Sequence, residues 1–168
     1  MMDAETNRAS PKGDVTIDNG MMQVIFRRSY RKPIEKVWAA LTVPERLEDW
    51  FGAAKVDLRE GGSFVISYAN GYTTEMKVSR LEAPRTLGWT WHLDGIDTQV
   101  LFELAPTDGG CDLTLTHSNV PEGGRGVRAG WHAHLDGLAD ALDGKVTPWA
   151  VKEQRETRVA SLYPVRGH

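Results

Sequence analysis

Residues 130–142 have the sequence Gly-Trp-His-Ala-His-Leu-Asp-Gly-Leu-Ala-Asp-Ala-Leu, and the rest of the chain can be interpreted around them. Large apolar side chains recur there at helical spacing: Trp131, Leu135, Leu138 and Leu142. This spacing predicts an α-helix with one apolar face. Polar side chains occupy the opposite face, which we expect to stay in water: His132, Asp136, Asp140 and Asp143. Gly144 follows as the expected C-terminal cap.

A series of strand-like segments precedes this helix. Their apolar residues alternate with polar ones, and turn sequences separate them, of which Asn70-Gly71 is a strong hairpin signal. Residues 21–30 predict a first strand, and two short helices should begin near Pro33 and Pro44. Short connections favour an antiparallel sheet with one dry face. We therefore predict the α+β class, with a curved antiparallel sheet wrapped around a long C-terminal helix and two short helices after the first strand.

Composition predicts one globular domain and excludes some classes of partner. The chain has 168 residues, and its net charge of -3 provides no overall field to attract nucleic acid. No apolar run approaches the roughly 20 residues that cross a membrane. Cys111 is the only cysteine, so no intramolecular disulfide can form, which fits a cytoplasmic location. We expect a mobile arm over residues 1–19, a domain over 20–144 and a tail over 145–168.

Several short segments together resemble a known superfamily. In chain order they are PIEKVWAALT at 33–42, DWF at 49–51, DLREGGSF at 57–64, LTLTH at 113–117, and Gly130-Trp131 with the leucines that follow. Their order and spacing resemble the START-like SRPBCC superfamily, and within it the branch named for the C-terminal domain of the activator of the heat-shock-protein ATPase. The match covers residues 21–144. The resemblance implies a helix-grip fold with a cavity between the sheet and the last helix.

The resemblance implies no particular reaction. The co-chaperone that gives the branch its name has an additional N-terminal domain, and residues 1–20 are too few and too polar to supply one. We therefore do not expect a chaperone-activating role or a chaperone partner.

The apolar faces of the predicted strands and helix should meet around a site for a small hydrophobic or aromatic molecule. The expected lining residues are Trp50, Phe64, Tyr68, Met76, Trp89, Trp91, Phe102, His117, Trp131 and His134. The alternative is a core that these side chains fill completely. Within this set, His117 and His134 could orient a ligand or move a proton. They could equally be buried histidines that bond to nearby hydroxyl or carbonyl groups.

Other site chemistries have less support in the sequence. His132 and His134 are two positions apart and point in different directions on a helix. The chain has no His-Glu-x-x-His motif and no cysteine pair, so we predict no metal and no cofactor.

From these observations we favour a ligand-binding protein. The alternatives are a cyclase- or hydrolase-type enzyme that uses His117 or His134, and a chaperone-associated interaction module. Exposed strand edges would allow a homodimer.

Overall fold

The computed structural model describes residues 12–93, 95–121 and 126–163. Within these residues, the strands are β1 (Asp14–Asp18), β2 (Met21–Tyr30), β3 (Ala53–Val56), β4 (Ser63–Ser67), β5 (Thr73–Glu82), β6 (Thr86–Leu93), β7 (Ile96–Thr107) and β8 (Gly110–Pro121). The helices are α1 (Ile34–Thr42), α2 (Pro44–Leu47), α3 (Val127–Leu142) and α4 (Trp149–Ala160). No helix in these ranges is both long enough and apolar enough to cross a bilayer.

All eight strands belong to one sheet, in the order β1-β2-β8-β7-β6-β5-β4-β3. Each neighbouring pair is antiparallel. Burial alternates along the strands, so that Thr74, Met76 and Val78 of β5 face the core while the residues between them are exposed. The apolar face of α3 lies against the sheet, where Trp131 packs 5.8 Å from Phe102 between ring centroids. The predicted fold class and helix-grip architecture are confirmed.

Two segments expected to lie outside the domain are partly integrated into it. The prediction of a mobile arm over residues 1–19 is wrong for residues 14–18, which form β1 and pair with β2; residues 1–11 lie outside the described ranges. Residues 149–160 of the predicted tail form α4, whose Arg155 makes a 2.7 Å ion pair with Asp140 of α3. Both elements are mostly exposed, so neither has the apolar period that reveals a strand or helix in sequence.

The prediction that His132 stays in water is also wrong. Its side chain is 1% exposed, and its Nδ1 lies 2.8 Å from the hydroxyl oxygen of Tyr163. That hydroxyl oxygen also accepts a 2.8 Å hydrogen bond from the backbone N–H of Gly13. The chain beyond α4 therefore covers a face of α3 that the helical pattern alone assigns to solvent.

Gly137 lies inside α3 at a position with room for a methyl group. An added Cβ would lie 3.5 Å from the carbonyl oxygen of Trp50, which is an ordinary contact distance. A glycine inside a helix costs about 0.5–1 kcal/mol relative to alanine. We therefore expect Gly137→Ala to raise the free energy of unfolding by about 0.5–1 kcal/mol, measured by urea denaturation.

Gly130→Ala is the matched control within the same helix. Its Cβ would contact the flexible carboxylate of Glu156 at 3.6 Å, so a similar gain is expected. If Gly130→Ala raised the free energy of unfolding while Gly137→Ala lowered it, the observed spacing between α3 and Trp50 would be contradicted.

Candidate ligand-binding site

An aromatic cluster occupies the interior between the sheet and α3. We define it by the rings of Trp50, Phe51, Phe64, Tyr68, Trp89, Trp91, Phe102, His117, Trp131 and His134, which contact one another. Phe51 is central: its ring centroid lies 5.1 Å from that of Trp50 and 5.9 Å from that of Trp89. Met76 is buried on β5, opposite Phe64 of β4 and Trp91 of β6. All ten predicted lining residues therefore lie in one region.

The turn after α2 places the rings of Trp50 and Phe51 in this interior. The backbone N–H of Phe51 donates to the carbonyl of Leu47, and the indole N–H of Trp50 donates to the carbonyl of Ala40 at 2.8 Å. These bonds tie the segment to α1 and to α2 and turn both rings inward. Phe51 is absent from the predicted lining set, although it directly follows Trp50 and is equally buried.

Most of the cluster is packed closely, and its accessible end is localised. Tyr68, Trp91 and His134 are half-buried, whereas the other members are buried. The Tyr68 ring stacks 6.1 Å from exposed Tyr72 and lies 5.9 Å from Trp149 of α4. Tyr68 therefore lies at a partly exposed end of the cluster, next to the start of α4.

His117 is held by hydrogen bonds on both ring nitrogens. The indole N–H of Trp131 donates to Nδ1 at 2.9 Å, so Nδ1 carries no proton. Nε2 therefore carries the proton and donates to the hydroxyl of Thr98 at 2.7 Å. That hydroxyl in turn donates to the carbonyl of Trp91. Burial lowers the pKa of His117 to about 4, which agrees with a ring that is neutral at pH 7. These hydrogen bonds hold the His117 ring in one orientation between Trp131 and Thr98.

His134 differs from His117 because one of its nitrogens has no partner. Its Nδ1 is buried without a hydrogen-bond partner in the described part of the chain. The nearby backbone of Trp50 by itself raises the pKa of His134. Burial and the charge of Lys152 outweigh it and lower that pKa to about 3, so the imidazole is neutral. Rings of the cluster surround the imidazole, Phe51 closest with its centroid at 4.9 Å.

Lys152 lies near the Tyr68 end of the cluster, and no pattern in the sequence selects it. It lies on α4, is only 8% exposed, and its Nζ is 6.0 Å from the centroid of the Trp149 ring. Across residues 12–93, 95–121 and 126–163, no carboxylate forms an ion pair with this ammonium. Burial lowers the pKa of Lys152 to about 8. The sequence indicates a solvated charge here because the position of α4 depends on tertiary contacts.

We expect Lys152→Met to raise the free energy of unfolding at pH 7, by on the order of 1 kcal/mol, because it removes a buried unpaired charge. The folded pKa lies below the ordinary value of 10.5, so the penalty of the buried charge is complete below about pH 8. It disappears as the pH rises through 8 towards 10.5. Urea denaturation across this range measures it, with the exposed Lys145→Met as control. If the free energy of unfolding of Lys152→Met exceeded that of the wild type by an amount that grows with pH, Lys152 would not be a buried charge.

Two other regions bear on the site. A groove of about 330 Å³ lies along the β1–β2 hairpin and the end of β8, lined by Thr16, Asp18, Met21, Met22, Gln23, Ser118 and Asn119. The groove contains none of the predicted lining residues.

In the part of the chain that the structure describes, no three His, Cys, Asp or Glu side chains are grouped closely enough to hold a metal ion.

Comparison with known proteins identifies the family. Residues 31–143 match the family described as "Activator of Hsp90 ATPase homolog 1-like protein". The chain belongs to this family. The activator-of-Hsp90-ATPase-like assignment confirms the resemblance found in the sequence motifs. No curated protein matches the chain.

Solved structures of this type share the fold. CalU16 from Micromonospora echinospora is 30% identical, with a TM-score of 0.70 over 92% of this chain and 98% of that one. DynU16, a protein in the dynemicin biosynthetic locus, is 28% identical, with a TM-score of 0.66 over 74% of this chain and 48% of that one. The Aha1 dimer from Colwellia psychrerythraea is 23% identical, with a TM-score of 0.64 over 71% of this chain and 95% of that one. This last similarity concerns the fold alone.

Proposed function

We propose that this protein binds a small aromatic or hydrophobic molecule between the sheet and α3. The observation that carries the proposal is His134, whose Nδ1 is buried with no hydrogen-bond partner among the described residues. The rings of Phe51, Tyr68 and Trp131 surround this imidazole, with centroids 4.9, 6.5 and 6.0 Å away. Buried polar atoms without partners are uncommon in folded proteins. A ligand that enters beside Tyr68 would meet aromatic walls and one imidazole nitrogen without a hydrogen-bond partner, which is the usual character of a small-molecule site.

A related protein supports a small-molecule role. DynU16 is a protein in a biosynthetic locus, and it is 28% identical to this chain. The ligand of this chain is proposed from its own residues.

An enzymatic role has less support. Both nitrogens of His117 are occupied by Trp131 and Thr98, so this residue is not available to move a proton. His134 has an open nitrogen, but its lowered pKa makes it a weak base at neutral pH. A binding role requires only that these groups recognise a ligand.

Assembly and location follow as further parts of the proposal. β1 and β3 are the outer strands of the sheet, so either edge could pair with a second copy. The Aha1 protein from Colwellia psychrerythraea is a dimer in its solved structure.

The proposed location is the cytoplasm. Cys111 is a buried free cysteine, which suits the cytoplasm, where thiols stay reduced.

Native mass spectrometry tests the binding proposal. We expect the purified protein to retain or take up one aromatic molecule from a panel of one-, two- and three-ring compounds. Tyr68→Ala removes one wall of the entrance and should weaken binding by about tenfold, equivalent to about 1.4 kcal/mol. Trp38→Phe, on α1 and outside the aromatic cluster, is the control and should bind as the wild type does. Failure to retain or add any compound would overturn the proposal.

A further inference from the structure

The rings of the aromatic cluster are in contact with one another in this structure. Four of them surround the imidazole of His134, with centroids 4.9 to 6.5 Å from it: Trp50, Phe51, Tyr68 and Trp131. Separations of this size are those of aromatic rings that touch. A further ring does not fit between them, so a ligand must displace a group at the edge of the cluster.

Trp149 of α4 is the aromatic side chain at that edge. Its ring is half-buried and lies 5.9 Å from the Tyr68 ring between centroids, so it covers the partly exposed end of the cluster. Among the twelve residues of α4, Lys152 is the one that is fully buried. Elements without fully buried apolar side chains open locally more readily than the core of a protein. α4 can therefore leave its position while the sheet and α3 stay folded.

Lys152 makes the present position of α4 costly. Its side chain is 8% exposed, and among the residues that the structure describes no carboxylate forms an ion pair with its ammonium. A buried charge without a partner costs free energy, which is recovered when the group returns to water. Movement of α4 away from the domain would hydrate this ammonium.

Polar contacts at two places hold α4, and the residues that follow it, against the domain. Arg155 forms the 2.7 Å ion pair with Asp140 of α3. The hydroxyl oxygen of Tyr163 accepts a 2.8 Å hydrogen bond from the N–H of Gly13 and lies 2.8 Å from Nδ1 of His132. Neither contact involves a ring of the aromatic cluster, so each can be removed without changing that cluster.

The connection between α3 and α4 is held more loosely. Residues 143–148 belong to no helix or strand. The backbone N–H of Thr147 donates to the carbonyl of Asp49, and its hydroxyl donates to the carboxylate of Asp140, both at 3.3 Å. These distances are longer than those of most hydrogen bonds. This segment can therefore act as the pivot of α4 when the contacts of Arg155 and Tyr163 break.

We propose that α4 is a lid over the ligand-binding site, which is closed here by Trp149 against Tyr68 and opens by a pivot at residues 143–148. This inference rests on the proposed function. In the open state, the face of Tyr68 that Trp149 covers becomes available to the ring of a ligand. Lids that enclose a bound small molecule in this way are common in proteins.

Hydrogen exchange tests the lid without a ligand. We expect the backbone amides of residues 153–160 in α4 to exchange by local opening, faster than those of α3 and with less dependence on urea. Leu104→Ala, at a buried leucine of β7, lowers the stability of the whole domain. It should speed exchange in α3 and leave exchange in α4 unchanged. If α3 and α4 exchanged together with the same urea dependence, α4 would open only on global unfolding, and the lid would be overturned.

Variants in the contacts of α4 should shift its opening in opposite directions. Arg155→Met and Tyr163→Phe should each speed exchange in α4 about fivefold, which corresponds to the loss of one polar contact. Lys152→Met should slow it about fivefold, because the closed position no longer buries a charge. Arg158→Met, at an exposed arginine of the same helix, is the matched control and should have no effect. Exchange in α4 that responds to none of the first three variants would overturn the lid.

A cross-link between α3 and α4 tests whether binding requires the opening. A Cβ atom at Gly130 would lie 3.6 Å from the carboxylate of Glu156, so the thiols of a Gly130→Cys/Glu156→Cys double variant are within reach of a short bis-maleimide. Cys111 is buried and should not react. Native mass spectrometry then follows the uptake of phenol, 2-naphthol and 9-phenanthrol. We expect the double variant to take up a compound before cross-linking and to lose at least about tenfold in affinity afterwards.

The outcomes of this experiment separate the two proposals. If the double variant binds equally well before and after cross-linking, α4 need not move, so the lid is overturned and the binding proposal stands. If the wild type takes up none of the three compounds, the binding proposal fails, and the lid inference fails with it.

Discussion

Replacing Phe51 with alanine should lower the free energy of unfolding by about 3–5 kcal/mol, the range found when a buried phenylalanine is truncated. Phe51 is fully buried and stacks on both Trp50 and Trp89, with interplanar angles of 15° and 13°. Its ring also meets the edges of other members of the cluster, so truncation leaves a cavity whose surrounding rings lose contacts on one side. Urea denaturation followed by circular dichroism measures the change.

Two controls calibrate this loss. Phe51→Leu keeps most of the volume and should cost clearly less than Phe51→Ala. Tyr72→Ala removes an aromatic ring that is 63% exposed and should change the free energy of unfolding by no more than about 0.5 kcal/mol. If Phe51→Ala cost less than about 1 kcal/mol, Phe51 would not be at the centre of a close-packed cluster.

Mild acid should destabilise the protein through its buried neutral histidines. His117 and His134 have folded pKa values of about 4 and about 3, against an ordinary value of 6.5. Because the folded values are lowered, the unfolded chain takes up protons first as the pH falls. The stability that these histidines contribute is complete above pH 6.5 and is lost as the pH falls from there towards about 4 and about 3. Each should contribute a slope of about 1.4 kcal/mol per pH unit within that window.

Variants isolate this slope from that of the carboxylates. The difference in free energy of unfolding between wild type and His134→Phe, measured by urea denaturation at several pH values, should shrink or change sign as the pH falls. For His117, the matched change is His117→Gln, which keeps hydrogen-bonding groups facing Trp131 and Thr98. Parallel pH curves for wild type and both buried-site variants would show that these histidines titrate normally when folded.

Local sequence patterns were sufficient to predict the elements whose burial is periodic. Trp131, Leu135 and Leu138 predict α3 because one helical face carries them, and the alternation in β5 is equally clear in sequence and structure. The ten predicted lining residues meet for the same reason, since the inner faces of strands and helix are apolar and must face one another. Their role in binding stays a prediction.

Patterns could not reveal the contacts that depend on tertiary structure. The hydrogen bond between Gly13 and Tyr163 joins residues 150 positions apart, and the same hydroxyl buries His132. α4 and β1 have too few buried apolar residues for a periodic signal, and they are held by hydrogen bonds and ion pairs. Lys152 was missed for this reason. A lysine on a polar segment indicates solvent, and only the packing of Trp149 of α4 beside Tyr68 brings Lys152 near the aromatic cluster.

Ligand-induced shifts of the tryptophan side chains test the central claim most directly. In a two-dimensional ¹⁵N–¹H spectrum, each indole N–H gives a separate peak, assigned by single Trp→Phe variants. On titration with the compound of the aromatic panel that binds most tightly, we expect the peaks of Trp50 and Trp131 to shift and saturate together, because both rings lie within 6.4 Å of His134 between ring centroids. The peak of Trp38 on α1, outside the aromatic cluster, should stay in place. Unmoved cluster peaks at saturating ligand, or a shift confined to Trp38, would contradict a site between the sheet and α3.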